Sequence, residues 1–334
     1  MGIECEVAPL LDDDYLARRF ASERISPRYL MDRYWRRLRQ IHRIRRFDVA
    51  VLQYEAFPYV PAWLENFLVM KIPFVVDIDD AIFHSYDCHP NAIVRATLGK
   101  KIPSILRKAS YVLAGSPYLL DYARKVNVNV DWSPTCVDIS RFAIKRWDDN
   151  SDEPFVIGWI GSPSTVQFVA EAVPAICELS ERMPVRLICV GSGQVSYTHI
   201  TPEIREWSEA TEVDEMLRFD VGIMPLPDEP WTRGKCSFKL IQYMACGLPV
   251  VASPVGMNNT VVTHGENGFL ASSTEQWLSA LEALASDISL RKKMGAAGRS
   301  LVQRMFTTEI GGAKLLQAIR SAAKLPLRSV VGKA

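Results

Sequence analysis

Short, nearly unbroken apolar runs alternate along this chain with longer stretches whose apolar residues recur at helical spacing. In the first half the runs are residues 48–54 (DVAVLQY), 73–78 (PFVVDI), 111–114 (YVLA) and 128–132. Helical patterns fill the gaps at 61–70, 92–108 and 117–125. A polar break, WDDNSDEP at 147–154, carries four acids and a terminal proline and reads as an interdomain linker. The rhythm then restarts with strands predicted at 155–160 (FVIGWI), 185–190 (VRLICV), 221–225 (VGIMP) and 249–252 (PVVA). Runs of this kind suit strands buried on both faces of a parallel sheet. Helices are predicted at 166–182, 213–219, 238–246, 274–286 and 290–305. Strands alternating with helices predict α/β architecture, as two Rossmann-like halves.

Composition changes this picture little. A chain of 334 residues fits two domains at roughly 150 residues each. The net charge of +1 gives no global reason to expect nucleic acid. Seven scattered cysteines without a CxxC pair speak against a disulfide framework or zinc site and for a reducing compartment. The opening residues show no basic segment followed by an apolar one, and no apolar run is long enough to cross a bilayer, so a cytoplasmic protein is expected.

Candidate chemistry lies in the loops beyond the strand ends, where open α/β sheets bind ligands. Gly161-Ser162-Pro163-Ser164-Thr165 follows FVIGWI; glycine permits close backbone approach and a capped helix start offers free N–H groups to phosphate. A well-capped turn with no ligand explains this loop equally well. The stronger signal runs from Trp231 to Gly256, WTRGKCSFKLIQYMACGLPVVASPVG. A basic loop with Arg233, Lys235 and Lys239 leads into a helix, the helix ends at Cys246-Gly247, and a buried strand and the Ser253–Gly256 turn follow. Positive charge beside a helix N-terminus suits a diphosphate.

KLIQYMACGLPVVASPVG resembles the C-terminal motif of the family 4 (retaining) glycosyltransferases, the glycosyl transferases group 1. DVGIMPLPDEPWTRGK, HGENGFLASSTEQWLSALEAL and LRKKMGAAGRSLVQRMFTTEI are similar to that family's flanking segments. SPTCVDISRF and PFVVDIDDAIF resemble pieces of its N-terminal half. The resemblance implies the GT-B fold: residues 1–150 an acceptor-binding Rossmann-like domain, 151–318 a nucleotide-sugar-binding one, both facing a central cleft, and 319–334 packing back on the first. Gly2–Val7 resembles the family's second strand, so the first domain is expected to lack its first strand.

Carried over by residue, Gly161 and Ser162 would approach the donor phosphates, and Lys235, Arg233 and Lys239 would neutralise them. Ser253, Val255 and Gly256 would line the sugar or phosphate end. Asp79 and Asp80 would sit at the reacting centre as catalytic residues. Read from position alone, Glu55 at the end of the 48–54 run and His84 after the acidic loop point to the acceptor side of the cleft, with an ordinary loop carboxylate the competing reading for Glu55. The family's paired glutamates are replaced by Gly234 and Gln242; Gln242 can still bond a ribose, and Asp228 or Glu229 could replace the first. Asp77-Ile78-Asp79 also spells a DxD able to hold a divalent cation, but it stands away from the basic loop, so no metal or other cofactor is expected. His84 and His89 follow the acidic loop and could approach the cleft, though HSYDCHP has no strict metal spacing; His42, His199 and His264 read as ordinary surface or core residues.

Arginines crowd the stretch from Arg18 to Arg46, with Phe20, Tyr29, Tyr34 and Trp35 interleaved. Such a basic amphipathic helix suits an anionic membrane surface or a phosphorylated lipid-linked acceptor; a solvated helix packed by its apolar stripe is the competing reading. The resemblance implies a transferase moving sugar from a nucleotide-sugar to a saccharide or lipid-linked acceptor in cell-surface polysaccharide synthesis. A nucleotide-sugar epimerase or a non-catalytic scaffold subunit is the alternative.

Overall fold

The structure, a computed structural model, describes residues 3–20, 24–69, 71–147 and 153–324. The side chains of Arg19 and Phe20, the centre of the acidic break at 148–152, and the tail 325–334 lie outside the described residues.

Among the described residues, ten strands form two wholly parallel sheets. The first holds β1 (Ala50–Gln53), β2 (Phe74–Ile78), β3 (Tyr111–Ala114) and β4 (Val130–Trp132) in that spatial order. Alternation along a strand sends successive side chains to opposite faces, and β2 shows why its run is apolar throughout. Phe74, Val76 and Ile78 enter a core with Leu98, Ile102, Ile105 and Leu106 from the following helices. Val75 faces the other way and meets Leu113, Ala318 and Ala322. The last two belong to the Thr308–Ala322 helix, which returns from the far end of the chain to cover this face. This return begins at Thr308, earlier than the expected 319.

The second sheet holds β5 (Phe155–Ile160), β6 (Val185–Val190), β7 (Glu203–Arg205), β8 (Val221–Met224), β9 (Val250–Ala252) and β10 (Gly268–Leu270), ordered β10-β9-β8-β5-β6-β7. The order reverses between β5 and β8. Those two strands pair only at Ile157–Val221 and Gly158–Gly222, then part. Into the gap projects Tyr243, whose hydroxyl accepts from the Ile160 N–H at 2.9 Å and donates to the Ile223 carbonyl at 3.4 Å. A side chain at Gly222 would overlap the Tyr243 ring, which explains that glycine. The phenol thus satisfies backbone groups that divergence would leave bare.

The closing helices lock this arrangement. A Cβ at Gly295 would come within 1.9 Å of the Gly247 carbonyl, so the Ile288–Met305 helix lies directly on the end of the Phe238–Ala245 helix. Arg299 donates to the carbonyls of Ala245 and Phe142. Val137 and Phe142 already pack in the second core, so the chain has crossed between sheets before the acidic break.

Several expectations need correction. Ile3–Val7 forms no strand; Val7 is 83% exposed, and charged Glu4 and Glu6 alternate with it. β1 is accordingly the edge of its sheet. The helix expected over 166–182 is two pieces, a 3₁₀ segment Val166–Glu171 and an α-helix Val173–Arg182. Pro174 is the second residue of the second piece, in the first turn where its fixed φ and missing N–H are tolerated. The short strands β7 and β10 were not anticipated; three residues are too few to show a period.

Candidate functional site

A reversal of strand order opens a crevice beyond the carboxyl ends of the strands. Here the loops after β5 and β8 flank it. The β5 loop opens with Gly161, where a Cβ would stand 2.6 Å from both Lys239 Cε and the Trp159 ring. Glycine therefore lets the Lys239 stem lie against the strand end, with its ammonium 5.3 Å from the centre of the Trp159 ring. Lys239 sits in the first turn of the Phe238–Ala245 helix, so its charge adds to that of the helix N-terminus. Desolvation, then the neighbouring Lys235, push its ammonium down to about 8 against the pull of Asp80. Ser162 is not the N-cap of a long helix: its hydroxyl lies 2.9 Å from that of Ser164, and the chain continues as the 3₁₀ segment.

The β8 loop reaches into the first unit. Lys235 Nζ donates to Asp80 Oδ2 at 2.8 Å and stands 5.1 Å from the centre of the Trp231 ring. Next to it the Cys236 thiol, buried in the core of the first sheet, donates to the Asp79 carbonyl at 2.9 Å. A side chain on Gly234 would strike Ala81. The absent first glutamate is thus explained sterically: position 234 is a contact between the two units.

The three aspartates divide by direction. Asp80 faces Lys235, whereas Asp77 and Asp79 line a cavity of about 270 Å³ with Ser133, Thr135, Cys136 and the return helix. Burial pushes the Asp77 carboxyl up to about 6. Asp79 is also raised, by burial first and then by Asp80, and its Oδ1 is enclosed without a hydrogen-bond partner. The two DxD carboxylates therefore share this cavity, while Asp80 pairs with the basic loop.

The remaining donor candidates are partly committed. Arg233 makes a bidentate pair with Asp228, at 2.6 and 3.0 Å, and the Glu229 N–H bonds to Thr232 in the turn that follows. Gln242 is 5% exposed and donates to Glu212 at 3.3 Å, beside a bond from the Trp207 indole to the same carboxylate. The Ser253 hydroxyl accepts from the Leu226 N–H at 2.9 Å, and Val255 is buried. Gly256 takes φ +53° and lies against the Arg233 carbonyl, where a Cβ would not fit. Ser237, in a left-handed conformation with φ 56°, donates to Asn258, which donates in turn to the Ser253 carbonyl. These bonds tie the Ser253–Gly256 turn to the start of the helix carrying Lys239.

Residues 154–287 match the sequence profile of the glycosyl transferases group 1. This match falls within the second unit. D-inositol 3-phosphate glycosyltransferase of Kribbella flavida is 34% identical over 162 residues, covering 44% of this chain and 37% of that protein. N-acetyl-alpha-D-glucosaminyl L-malate synthase of Bacillus anthracis is 27% identical over 154 residues, 43% of this chain and 39% of that protein. The matches thus span about two fifths of the length of these curated relatives. Among solved structures, HepE of Anabaena in complex with UDP and glucose superposes with a TM-score of 0.66 at 15% identity, over 86% of this chain and 81% of that one. A glycosyltransferase from Rickettsia africae gives 0.64 at 15% identity, over 92% and 88%. These likenesses establish the GT-B fold for the two sheets together.

In the first unit, the two acceptor candidates differ. Glu55 accepts from the Tyr86 hydroxyl at 2.7 Å and pairs with the fully buried Lys101 at 2.5 Å. Lys101 also pairs with Glu65 at 2.9 Å and donates to the Phe57 carbonyl. Glu55 is therefore part of a buried ionic cluster rather than a free side chain in the cleft. His84 bonds to Asp87 and to the Tyr118 hydroxyl, each at 2.8 Å. The Tyr118 phenol is raised by burial, against the pull of the Arg233 charge. Ligand atoms of His84, Asp87 and Cys88 lie within 4.8 Å of one another on one helical turn and could hold a metal ion. Tyr118, Tyr243, Trp159 and Glu212 were missed from sequence. Tyr118 directly follows the Gly115-Ser116-Pro117 turn after β3, but nothing local marks its bond to His84.

Proposed function

We propose that this chain is a glycosyltransferase that moves sugar from a nucleotide-sugar donor to a saccharide or lipid-linked acceptor in cell-surface polysaccharide synthesis. The observation carrying this is the convergence of Lys235, Lys239 and Gly161 on the switch-point crevice of a group 1 domain. A departing diphosphate placed there meets two ammonium groups and a helix N-terminus, and preorganised positive charge of this kind stabilises the transition state. The same charges supply the neutralisation that a cation would otherwise give, so transfer proceeds without metal. Asp80, facing this charge from the first unit, orients the acceptor and the reacting sugar, and Asp79 lines the cavity beside it. The outcome is retention at the anomeric carbon, as the family resemblance implies. Among the described residues no helix is long and apolar enough to cross a membrane, and seven free cysteines suit a reducing compartment; the enzyme works in the cytoplasm.

The test is a thermal-shift panel of UDP-, GDP-, ADP- and dTDP-sugars on the full chain and on Lys239→Ala. Stabilisation by one nucleotide class, lost in the variant, supports the donor site; no shift with any of them overturns it. A scaffold reading is favoured by Gly234 and Gln242 in place of the carboxylates and by the hold of Asp80 on Lys235. Product formed from donor and acceptor excludes it, and a free epimerised donor formed without acceptor would instead indicate an epimerase.

A further inference from the structure

The Pro27–His42 helix leaves part of its apolar stripe uncovered. Ile41 is buried, and Tyr34 and Leu38 pack with Phe57 and Val69 in a small cluster. Beside them Leu30, Met31 and Trp35 remain 36%, 61% and 60% exposed. With Tyr34, Leu38 and Tyr59 they line an open apolar groove of about 420 Å³. Tyr59 is held there in a left-handed conformation, its N–H donated to the Tyr86 hydroxyl at 3.1 Å. The adjoining Ala62–Val69 helix, whose Val69 shares the cluster, presents Trp63 and Phe67 one turn apart and nearly bare.

The charges around this groove decide its partner. Arg33 is taken up by Asp12 and Asp32, and Arg37 is half-buried toward Glu65. Arg28, Arg36 and Arg39 are exposed, and no carboxylate among the described residues pairs with them. Three- and four-residue spacing sets Arg28 one turn before Met31 and Arg39 one turn after Trp35 on the same side of the helix. Arg43, Arg45 and Arg46 extend the positive charge past its end. We infer that this face docks on an anionic lipid bilayer, with Met31, Trp35 and Tyr59 entering the acyl boundary and the arginines meeting lipid phosphates. Apolar insertion ringed by unpaired cations is the pattern of an interfacial helix, whereas a protein groove of this kind would need matching carboxylates. The inference does not depend on the donor reading, since it uses neither Lys235 nor Lys239.

The test is co-sedimentation of the full chain with vesicles of phosphatidylcholine alone and with about one third phosphatidylglycerol. Binding is expected to the anionic vesicles only, weakened about tenfold both by Trp35→Ala and by the pair Arg28→Gln, Arg39→Gln. Unchanged melting temperature would show that these exposed substitutions leave the fold intact. Absence of binding to anionic vesicles at low salt overturns the inference. So does binding that the arginine pair reduces and Trp35→Ala leaves untouched, which would be surface charge alone. Concentration-dependent self-association abolished by Trp35→Ala would assign the groove to a second copy of the chain and also overturn it.

Discussion

The Lys235 ammonium lies 2.8 Å from the Asp80 carboxylate, joining residues 155 positions apart across the junction of the two sheets. Under the proposed donor site, a diphosphate at the switch point would compete with Asp80 for that cation. Domain closure in such enzymes aligns acceptor and donor, and this pair lies where closure must act. Asp80→Asn is expected to bind nucleoside diphosphate several-fold more tightly by titration calorimetry, because Lys235 is released. Turnover should fall at least tenfold if Asp80 orients the reacting groups. Weaker nucleotide binding in Asp80→Asn would remove the competition argument.

Lys239 makes donor affinity depend on pH. Its ammonium titrates at about 8 in the free protein, through desolvation and then Lys235, and a bound diphosphate favours the charged form. Binding therefore takes up a proton above that value. Affinity for the nucleoside diphosphate should be steady below pH 8 and decline as pH rises through it, with the slope abolished in Lys239→Met.

Asp77 gives a stability test. Its folded value of about 6 exceeds the ordinary 3.8 because of burial. Between these values the folded chain holds the proton and the unfolded chain does not, so stability falls as pH rises from about 4 to 6. Asp77→Asn should stabilise the protein by about 1–2 kcal/mol at pH 7 and have little effect at pH 4. Denaturant titration at the two pH values measures the difference.

Lys101 balances Glu55 and Glu65 in a site closed to solvent. Burial already raises Glu65. Lys101→Met leaves two carboxylates facing each other and should cost about 3–5 kcal/mol in denaturant unfolding. If Glu55 served chiefly the acceptor, Glu55→Gln would instead change KM with no loss of stability.

Tyr243→Phe removes the hydroxyl that bridges Ile160 and Ile223. The variant is expected to lose about 1–3 kcal/mol, the usual effect of leaving buried backbone groups unpaired. Faster amide exchange at Ile160 would locate the loss at the divergence of β5 and β8.

The strands and the motif helix were legible because their cause is local. FVIGWI is apolar at all positions since both its faces are covered, and QYMACG shows a helix ending in a residue that tolerates positive φ. Pairings made across the fold left no local mark. Nothing near Asp80 announces Lys235, and Gly234 looks like a flexible loop residue until Ala81 is placed against it. Glu55 was plausible as a cleft carboxylate because the lysine that claims it stands 46 positions away, in a helix read only for its apolar residues.

The Thr308–Ala322 helix has a consequence for dissecting the molecule. Because it roofs Val75 and Leu113 of the first sheet, the sheet of residues 50–132 is completed by a helix that lies beyond the whole second sheet in sequence. Expressing that sheet alone would expose a bare apolar face. A reciprocal design, with the terminal helix grafted directly after β4, is the rational way to obtain it as an independent piece.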